Sequence, residues 1–336
     1  MVRFGIVGSG KITEEFVASA RVTGVAEPVA ICSRSPENGA AYAAKHAMGY
    51  AFTSLEAMLD SGTVDAVYIA SPNALHAPQS VSCLERGVPV LVEKPAASNV
   101  RELDTVLALS AQKGVAYMEA LKSTLVPAFD VVRAYLPRLG RIRHYFSSFC
   151  QYSSRYDAHL AGEYRTTFDR TLSNGSLMDI GIYSLYPAIH LFGPPQSIQA
   201  SAQLLSTGVD GGGSVILGYE GMDAVILHAK NASSWLPTEI QGETATLRIN
   251  KISQPKKVEI LFRDGWVEEP PIEMPEPFMC YEIREFVQVV ESGRTQSDIN
   301  THALSREVLR VMDEVRRQTG VVYPADAVTP SSAVTP

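Results

Sequence analysis

The chain has 336 residues, of which 46% are hydrophobic and 19% are charged, and its formal net charge is −7. This length predicts two domains, and the composition is typical of a globular protein with enough apolar material for two cores. The negative charge argues against nucleic acid or an anionic membrane surface as the main partner.

The first predicted elements are a strand, a glycine turn and a helix. Residues 3–7 form a short apolar run, and an apolar residue recurs every four positions from Ile12 onward. Gly8 would permit a tight turn, and Gly10 would let the backbone approach a pyrophosphate at the amino end of the helix. Thr13 stands where a dinucleotide fingerprint usually has glycine or alanine. The predicted cofactor-binding residues of this turn are Gly8, Ser9, Gly10, Lys11 and Ile12.

The end of the second strand bears on the choice of dinucleotide. An NAD site usually places an acidic residue there to bind the ribose hydroxyls. Ser33 and Arg34 instead offer a hydroxyl and a guanidinium, which suit a 2′-phosphate. The sequence therefore favours NADP, and NAD stays possible because Glu37 follows one helical turn later. The alternative is that Ser35 is only a helix cap and Arg34 only a surface charge.

Strands and helices alternate up to about residue 120, which is typical of βαβ units in a parallel sheet. We predict a Rossmann domain over residues 1–122. Ligands of such a sheet bind outside the carboxyl ends of its strands. Two strand ends there carry the further predicted cofactor-binding residues Ser71, Pro72, Asn73 and His76, and Glu93 and Lys94, the last followed by Pro95. Alternatively, Glu93-Lys94-Pro95 is a strand-end ion pair with a proline stop, and His76 simply begins the next helix.

The remainder, residues 123–336, is predicted to be a second, α+β domain. A helix is predicted at 128–136, a strand at 142–150, a polar loop at 151–174 and a helix at 177–192. Six strand-like runs without intervening helices predict a large open, mainly antiparallel sheet. The runs are 198–205, 214–219, 224–229, 238–241, 245–249 and 258–262. Gly211-Gly212-Gly213 is predicted to be a turn, not a phosphate loop, and helices near 278–291 and 301–319 precede a loose tail after Pro324.

An open sheet that is covered by helices on one face leaves its other face exposed. If apolar residues populate that face, association with another copy covers them. We therefore expect a homo-oligomer, a dimer or a tetramer, formed through the C-terminal sheet.

The cysteines and the amino terminus bear on the cellular compartment. Four cysteines are scattered without metal-like spacing, so reduced buried thiols are the simplest interpretation and no metal is predicted. No signal-like segment and no membrane-spanning apolar stretch is present, and we expect a cytoplasmic protein without a membrane partner.

Four motifs of the chain occur in the order found in one known family. They are Gly8-Ser9-Gly10, Ser71-Pro72-Asn73-Ala74-Leu75-His76, Glu93-Lys94-Pro95 and Asp179-Ile180-Gly181-Ile182-Tyr183. Together they resemble the glucose–fructose oxidoreductase, inositol dehydrogenase and rhizopine-catabolism (Gfo/Idh/MocA) oxidoreductases over nearly the whole chain. The resemblance implies a Rossmann domain, a second domain with a large open sheet, and NAD or NADP as cofactor. It also implies oxidation or reduction of a hydroxyl carbon in a sugar, cyclitol or diol.

The same resemblance assigns the catalytic positions. Lys94 matches the active-site lysine of the family, and Asp179 matches the aspartate that faces the nicotinamide. Tyr183 stands where many members have histidine. It resembles the dihydrodiol dehydrogenase and aldose-oxidising branches and departs from the inositol dehydrogenase pattern. Asn174-Gly175-Ser176 departs from the glycine-rich run of many relatives.

Elementary chemistry supports these assignments from the residues themselves. Hydride leaving a carbinol carbon requires the hydroxyl proton to leave too, so a positioned base is needed. Asp179 and Tyr183 are one helical turn apart and share a face. A Lys94 ammonium within about 4–6 Å of the phenol would lower the pKa of Tyr183. We predict Tyr183 as acid/base with Lys94 as its helper. Lys94 acting directly is the alternative, and Asp179 orients a substrate hydroxyl or holds Lys94. Structural roles, packing for Tyr183 and a favourable helix dipole for Asp179, are the other interpretation.

The loop at 152–169 is predicted to set substrate specificity, because it is long, polar and aromatic. Its candidate residues are Arg155, Tyr156, Tyr164 and Arg165. Two other functions fit the same motifs: a glycosidase that oxidises its substrate transiently with NAD, and a redox-silent regulatory protein. The presence of Lys94, Asp179 and Tyr183 argues against the second, since a sensor needs no proton transfer.

Overall fold

A computed structural model describes residues 1–327 and contains a six-stranded and an eight-stranded sheet. The strands of the first sheet are β1 (Val2–Val7), β2 (Ala26–Cys32), β3 (Tyr50–Phe52), β4 (Ala66–Ile69), β5 (Val90–Glu93) and β6 (Tyr117–Ala120). The helices between them are α1 (Lys11–Thr23), α2 (Pro36–Lys45), α3 (Leu55–Asp60), α4 (His76–Glu85) and α5 (Val100–Lys113). The strand order is β3-β2-β1-β4-β5-β6 and all neighbours are parallel. The predicted Rossmann architecture is confirmed.

Local sequence signals set the ends of these helices. The Ser35 side chain accepts a hydrogen bond from the backbone N–H of Asn38, so it caps α2 as predicted. Gly114 ends α5 in the left-handed region at φ 65°, which a residue with a side chain adopts at a cost.

The strand order identifies the edge of this sheet at which a ligand can bind. β1 lies in the centre, and the chain runs from it to β2 on one side and reaches β4 on the other. A crevice opens outside the carboxyl ends of the strands at such a switch point. The segments after β1, β2, β4 and β5 therefore meet at one edge.

The second half of the chain forms a mixed, mainly antiparallel sheet with helices. Its strands are β7 (Ile142–Cys150), β8 (Ser197–Leu204), β9 (Asp210–Tyr219), β10 (Met222–Ala229), β11 (Thr238–Gly242), β12 (Ala245–Ile249), β13 (Val258–Phe262) and β14 (Val267–Glu268). Its helices are α6 (Pro127–Tyr135), α7 (Tyr156–Leu160), α8 (Ile182–Phe192), α9 (Phe278–Glu291) and α10 (His302–Thr319). The strand order is β14-β13-β12-β11-β7-β10-β9-β8, and only β7 and β10 pair in parallel. The predicted fold class is confirmed.

Helices cover one face of this sheet. Tyr145 and Ser147 of β7 point to α8, where they hydrogen-bond the carbonyl and the hydroxyl of Ser184 at 3.0 and 2.8 Å. At the other end, Gln318 of α10 binds the backbone of β8. The opposite face carries the alternate residues of each strand.

Helix α9 returns to the first domain. Phe286 packs on Phe4 of β1 with ring centroids 5.9 Å apart, and the Arg284 guanidinium donates to the Thr23 carbonyl at 2.9 Å. A segment distant in sequence thus completes the core beside α1. The division of the chain at residues 122 and 123 stays a prediction.

The glycine triplet is a correction to the sequence analysis. Gly211, Gly212 and Gly213 lie in β9, not in a turn. A Cβ on Gly213 would lie 2.5 Å from the Ser201 carbonyl oxygen, so glycine allows β8 to approach closely. The turn precedes the triplet at Gly208, whose φ is 82°.

Other differences are smaller. The short strand β14 and the helix α7 were not predicted. Cys83 and Cys280 are buried as expected, whereas Cys32 and Cys150 are partly exposed. Within the tail predicted to be loose, residues 324–327 form a 3-10 turn, and the rest lies outside the described residues. Among residues 1–327, no helix combines the length and apolar character that crossing a membrane requires.

Candidate active site

A cleft of about 750 Å³ opens between the carboxyl edge of the first sheet and the second domain. From the first domain it is lined by Gly10, Lys11, Ile12, Ser71, Pro72, Asn73 and Lys94. From the second it is lined by Asp179, Tyr183, Lys230 and a polar rim that includes Gln151, Ser153, Ser154 and Arg155. The structure therefore brings most of the predicted site residues together.

The glycine turn fits a dinucleotide. Gly8 has φ 105°, and a Cβ there would lie 2.5 Å from the Ala70 carbonyl oxygen, so no side chain is tolerated. A Cβ on Gly10 would meet nothing within 4 Å, because this residue faces the open cleft at the start of α1. Backbone N–H groups at a helix amino terminus bind phosphate, so the residues present fit the pyrophosphate of a nicotinamide dinucleotide.

Ser33 and Arg34 lie after β2, beside this turn but outside the lining of the cleft. Ser33 is fixed by its backbone N–H, which donates to the Phe52 carbonyl at 2.9 Å. Arg34 is exposed and has no hydrogen bond or ion pair within residues 1–327. Glu37, the residue that kept NAD possible, accepts a hydrogen bond from the Ser35 hydroxyl at 2.9 Å.

His76 joins the two strand-end loops. Its side chain is 1% exposed, with Nδ1 2.8 Å from the Pro95 carbonyl oxygen and Nε2 2.8 Å from that of Ser71. Burial lowers the pKa of His76, so the neutral ring donates to one of these oxygens. Asn73 donates across the cleft to the Ser173 carbonyl at 2.9 Å. Direct cofactor contacts of His76 and Asn73 stay predictions.

Lys94 connects the two domains at the base of the cleft. Its ammonium donates to the Asp179 carbonyl oxygen at 2.6 Å and to the Asp179 Oδ1 at 3.1 Å, and lies 5.0 Å from the centre of the Tyr183 ring. Burial lowers the pKa of Lys94, but the negative groups Asp179 and Glu93 together with Tyr183 outweigh it and raise that pKa above its usual value. Lys94 is therefore an ammonium at neutral pH.

Burial raises the pKa of Tyr183, and this effect exceeds the opposing influence of Lys94 and Lys122. Lys94 thus lowers this pKa as predicted, but the net shift is upward. The ring packs edge to face on Phe149 with centroids 5.8 Å apart. The phenol form of Tyr183 is therefore favoured over the phenolate.

Asp179 sits on a π-helical turn, Leu177–Gly181, directly before α8. Such turns are frequent at functional sites. Burial raises the pKa of Asp179, but Lys94 and Lys230 overcome that and hold it well below its usual value. The carboxylate is therefore ionised and bound by two ammonium groups.

Lys230 is the site residue that the sequence analysis missed. It directly follows β10, and its ammonium forms an ion pair with Asp179 Oδ2. Like Lys94, it is a lysine placed immediately after an apolar strand, and that placement was the available signal.

A buried polar layer lies behind the cleft. The Tyr68 hydroxyl donates to Glu93 at 2.5 Å, and Glu282 of α9 is fully buried. Within residues 1–327 neither carboxyl oxygen of Glu282 has a hydrogen-bond partner. Burial raises the pKa of Glu282, and the nearby Glu93 raises it further, so both favour the protonated form of this side chain.

A second buried group fixes the segment before Asp179. Asp210 Oδ2 accepts the Leu177 N–H at 2.6 Å, and His228 Nδ1 lies 2.9 Å from the Ser176 hydroxyl. A Cβ on Gly175, whose φ is 147°, would lie 2.2 Å from Asp210 Oδ1. The departure at Asn174-Gly175-Ser176 is thus a turn built around Asp210.

Only part of the predicted specificity loop reaches the cleft. Arg155 lines it and donates to the Thr167 hydroxyl at 2.8 Å. Tyr156 packs on Tyr152 with ring centroids 5.4 Å apart. Tyr164 and Arg165 line a separate hollow of about 430 Å³. Of the four candidates, Arg155 is the one at the cleft.

Asp210 gives a prediction for the pH dependence of stability. Burial raises its pKa from 3.8 to about 6, so the folded chain favours the protonated form. Stability from this group is complete below pH 3.8 and is lost as pH rises through about 6. Relative to the wild type, Asp210→Asn should gain about 3 kcal/mol in free energy of unfolding between roughly pH 4 and pH 7, measured by chemical denaturation. The control is Asp264→Asn, at an exposed position. If the free energies of unfolding of Asp210→Asn and wild type changed in parallel with pH, the raised pKa of Asp210 would be contradicted.

Comparisons with known proteins agree with this architecture. The model of the Gfo/Idh/MocA oxidoreductase family with an NAD-binding Rossmann fold matches residues 2–121, and that of its C-terminal domain matches residues 137–248. The scyllo-inositol 2-dehydrogenase (NADP(+)) of Bacillus subtilis strain 168 is 45% identical over 326 residues, which are 97% of this chain and 99% of that protein. The trans-1,2-dihydrobenzene-1,2-diol dehydrogenase of Xenopus tropicalis is 28% identical over 336 residues, 96% of this chain and 99% of that protein.

Solved structures share the fold. A 3-ketoreductase from Actinomadura kijaniata in complex with NADP and TDP-benzene superposes with a TM-score of 0.84 at 23% identity, covering 95% of this chain and 98% of that one. The resemblance stated from the motifs is therefore confirmed. This chain belongs to the Gfo/Idh/MocA family of NAD(P)-dependent oxidoreductases.

Proposed function

We propose that the chain transfers hydride between NADP and a hydroxyl-bearing carbon of a polyol, sugar or diol. The observation that carries this proposal is the convergence of Lys94, Asp179 and Tyr183 across the cleft, beside the glycine turn that fits a dinucleotide. Bound nicotinamide supplies the hydride chemistry. The residues of the chain supply orientation and proton transfer.

Tyr183 moves the proton in this proposal. In the reductive direction its phenol, whose pKa is raised, donates a proton to the oxygen of the substrate carbonyl. The Lys94 ammonium stabilises the negative charge that forms on the substrate oxygen and on the phenolate. In oxidation the same steps run backward, with the phenolate accepting the hydroxyl proton. The alternative, Lys94 as the direct base, is less favoured because its pKa is raised by Asp179.

The proposed cofactor is NADP. Arg34 is exposed and unpaired among residues 1–327, and Ser33 precedes it, so a guanidinium and a hydroxyl are available to a 2′-phosphate. Glu37 is engaged by Ser35. The 45% identical relative is a dehydrogenase for NADP(+), which supports the same choice.

The substrate is a polyhydroxylated molecule in this proposal. Serine, threonine, asparagine and glutamine side chains line much of the cleft and can donate to and accept from hydroxyl groups. Tyr183 by itself favours an aldose or diol over an inositol. The relative that acts on scyllo-inositol is nevertheless 45% identical, so we include cyclitols among the candidates. The site gives no observation that favours glycosidase or regulatory activity over dehydrogenation.

We also propose that copies of the chain associate through the open face of the second sheet. Phe146, Val225 and Ile216 are direct lateral neighbours on β7, β10 and β9. Glu239 and Gln199 flank this apolar row on the adjoining strands. An apolar centre with a polar rim is typical of an interface.

The first prediction concerns the catalytic groups. Lys94→Ala and Tyr183→Phe should each lower turnover by on the order of 10²–10⁴-fold, because each removes a group needed for proton transfer. NADPH binding, measured by fluorescence titration, should stay nearly intact. Turnover is measured by nicotinamide absorbance with aldoses, cyclitols and trans-diols. The matched control is Tyr186→Phe on the same helix, whose hydroxyl points to Ser305. Near-normal turnover in either variant would remove that residue from the mechanism.

The second prediction concerns the cofactor. Arg34→Ala should raise the KM for NADP by about tenfold to a hundredfold, which corresponds to the free energy of one charge-assisted hydrogen bond. The KM for NAD should stay nearly unchanged. Initial rates with both cofactors measure this, and Arg263→Ala is the control. An unchanged NADP/NAD preference would refute the phosphate-binding role.

The third prediction concerns assembly. Wild-type protein should have the mass of a dimer or tetramer by light scattering, and Val225→Asp should shift it to the mass of one chain, because a charge is then placed in the apolar row. Leu160→Asp, 65% exposed and away from the sheet, should leave the mass unchanged. A wild-type monomer at micromolar concentration would contradict this interface.

A further inference from the structure

Lys230 is held in place along its backbone and its side chain. Its N–H donates to the Gly211 carbonyl of β9 at 2.7 Å, and its carbonyl accepts from Ser153 at 2.8 Å. The side chain is 8% exposed and ends at Asp179 Oδ2 in the wall of the cleft. One residue thus links the second sheet, the segment after β7 and the carboxylate that binds Lys94.

The charges around Asp179 are not balanced. One carboxylate binds two ammonium groups, since Lys94 takes Oδ1 and Lys230 takes Oδ2. Lys94 also donates a second hydrogen bond, to the main-chain carbonyl oxygen of Asp179 at 2.6 Å. Within this trio the net charge is positive, and its Lys94 ammonium lies 5.0 Å from the centre of the Tyr183 ring.

We propose that Lys230 is a positioning residue of the active site, which fixes Asp179 so that it holds Lys94 beside Tyr183 and whose positive charge favours the deprotonated form of the proton-transfer group. The proposal rests on the function proposed above. It adds a second lysine to the three residues that the family motifs assign.

The sign of the effect follows from the charges nearby. Removing a cation from a buried site raises the pKa of a neighbouring acid, whether the proton-transfer group is Tyr183 or Lys94. The other charged and titratable groups around these two remain in place when Lys230 is replaced. They are Tyr68 of β4, His76 of α4, Glu93 of β5, Glu119 of β6, Lys122 after β6, Asp179 before α8, and Glu282 of α9.

The test is the pH dependence of kcat/KM for oxidation with NADP, using the member of the substrate panel that is turned over fastest. In Lys230→Met the acidic limb should move to higher pH by about one unit, so that kcat/KM below the limb falls about tenfold. Lys230→Arg keeps the charge and should keep the wild-type limb. The matched control is Lys257→Met, which removes ion pairs of an exposed lysine in the same domain with Glu259 at 3.2 Å and Glu269 at 2.8 Å. It should change neither the pH of the limb nor the value of kcat/KM.

Two results would overturn the proposal. One is an unchanged limb in Lys230→Met, and the other is an equal shift in Lys230→Arg and Lys230→Met. Lys230→Gln serves as a second neutral variant if Lys230→Met does not fold, with folding checked by thermal melting and NADPH binding. Failure of the proposed function is recognised separately, because the panel would then give no turnover or Lys94→Ala would remain active.

Discussion

The contact between Lys94 and Asp179 is the interaction on which the geometry of the cleft depends. It joins the residue that follows β5 in the first domain to the π-helical turn before α8 in the second, through a carbonyl oxygen at 2.6 Å and a carboxylate oxygen at 3.1 Å. The Lys94 side chain is 11% exposed, and Lys230 of the second domain binds the other oxygen of the same carboxylate. The two walls of the cleft therefore meet at one charged group.

Burial and charge compete at each titratable group, and the outcome differs between neighbours. At Asp179 two ammonium groups outweigh burial, and the carboxylate is ionised. At Tyr183 burial outweighs the lysines, and the phenol keeps its proton. The carboxyl oxygens of Glu282 have no hydrogen-bond partner among the described residues, and burial favours the protonated form. A proton donor thus lies beside a permanent cation, which is the pairing that reduction of a carbonyl needs.

Sequence signals located the elements but not every member of the site. The Ser35 cap and the spans of β12 and β13 depend on local backbone chemistry and were predicted closely. Lys230 and Asp179 are 51 positions apart in the sequence, and α9 packs on the distant helix α1. No local sequence pattern predicts either contact. The glycines of β9 were wrongly predicted to form a turn. Glycine is required both in tight turns and where two strands approach closely, so the residue type alone does not separate the two.

The two roles considered for Asp179, holding Lys94 and orienting a substrate hydroxyl, are compatible. An ionised carboxylate offers about four lone-pair sites. Lys94 and Lys230 occupy one site on each oxygen, and the side chain is still 40% exposed toward the cleft. Each oxygen therefore retains a position for a further donor. Because both oxygens are already fixed by lysines, a hydroxyl that binds there is held at a defined distance from Tyr183. This geometry is a further reason for our proposal that the substrate carries a second hydroxyl beside the reacting carbon, as polyols, sugars and vicinal diols do.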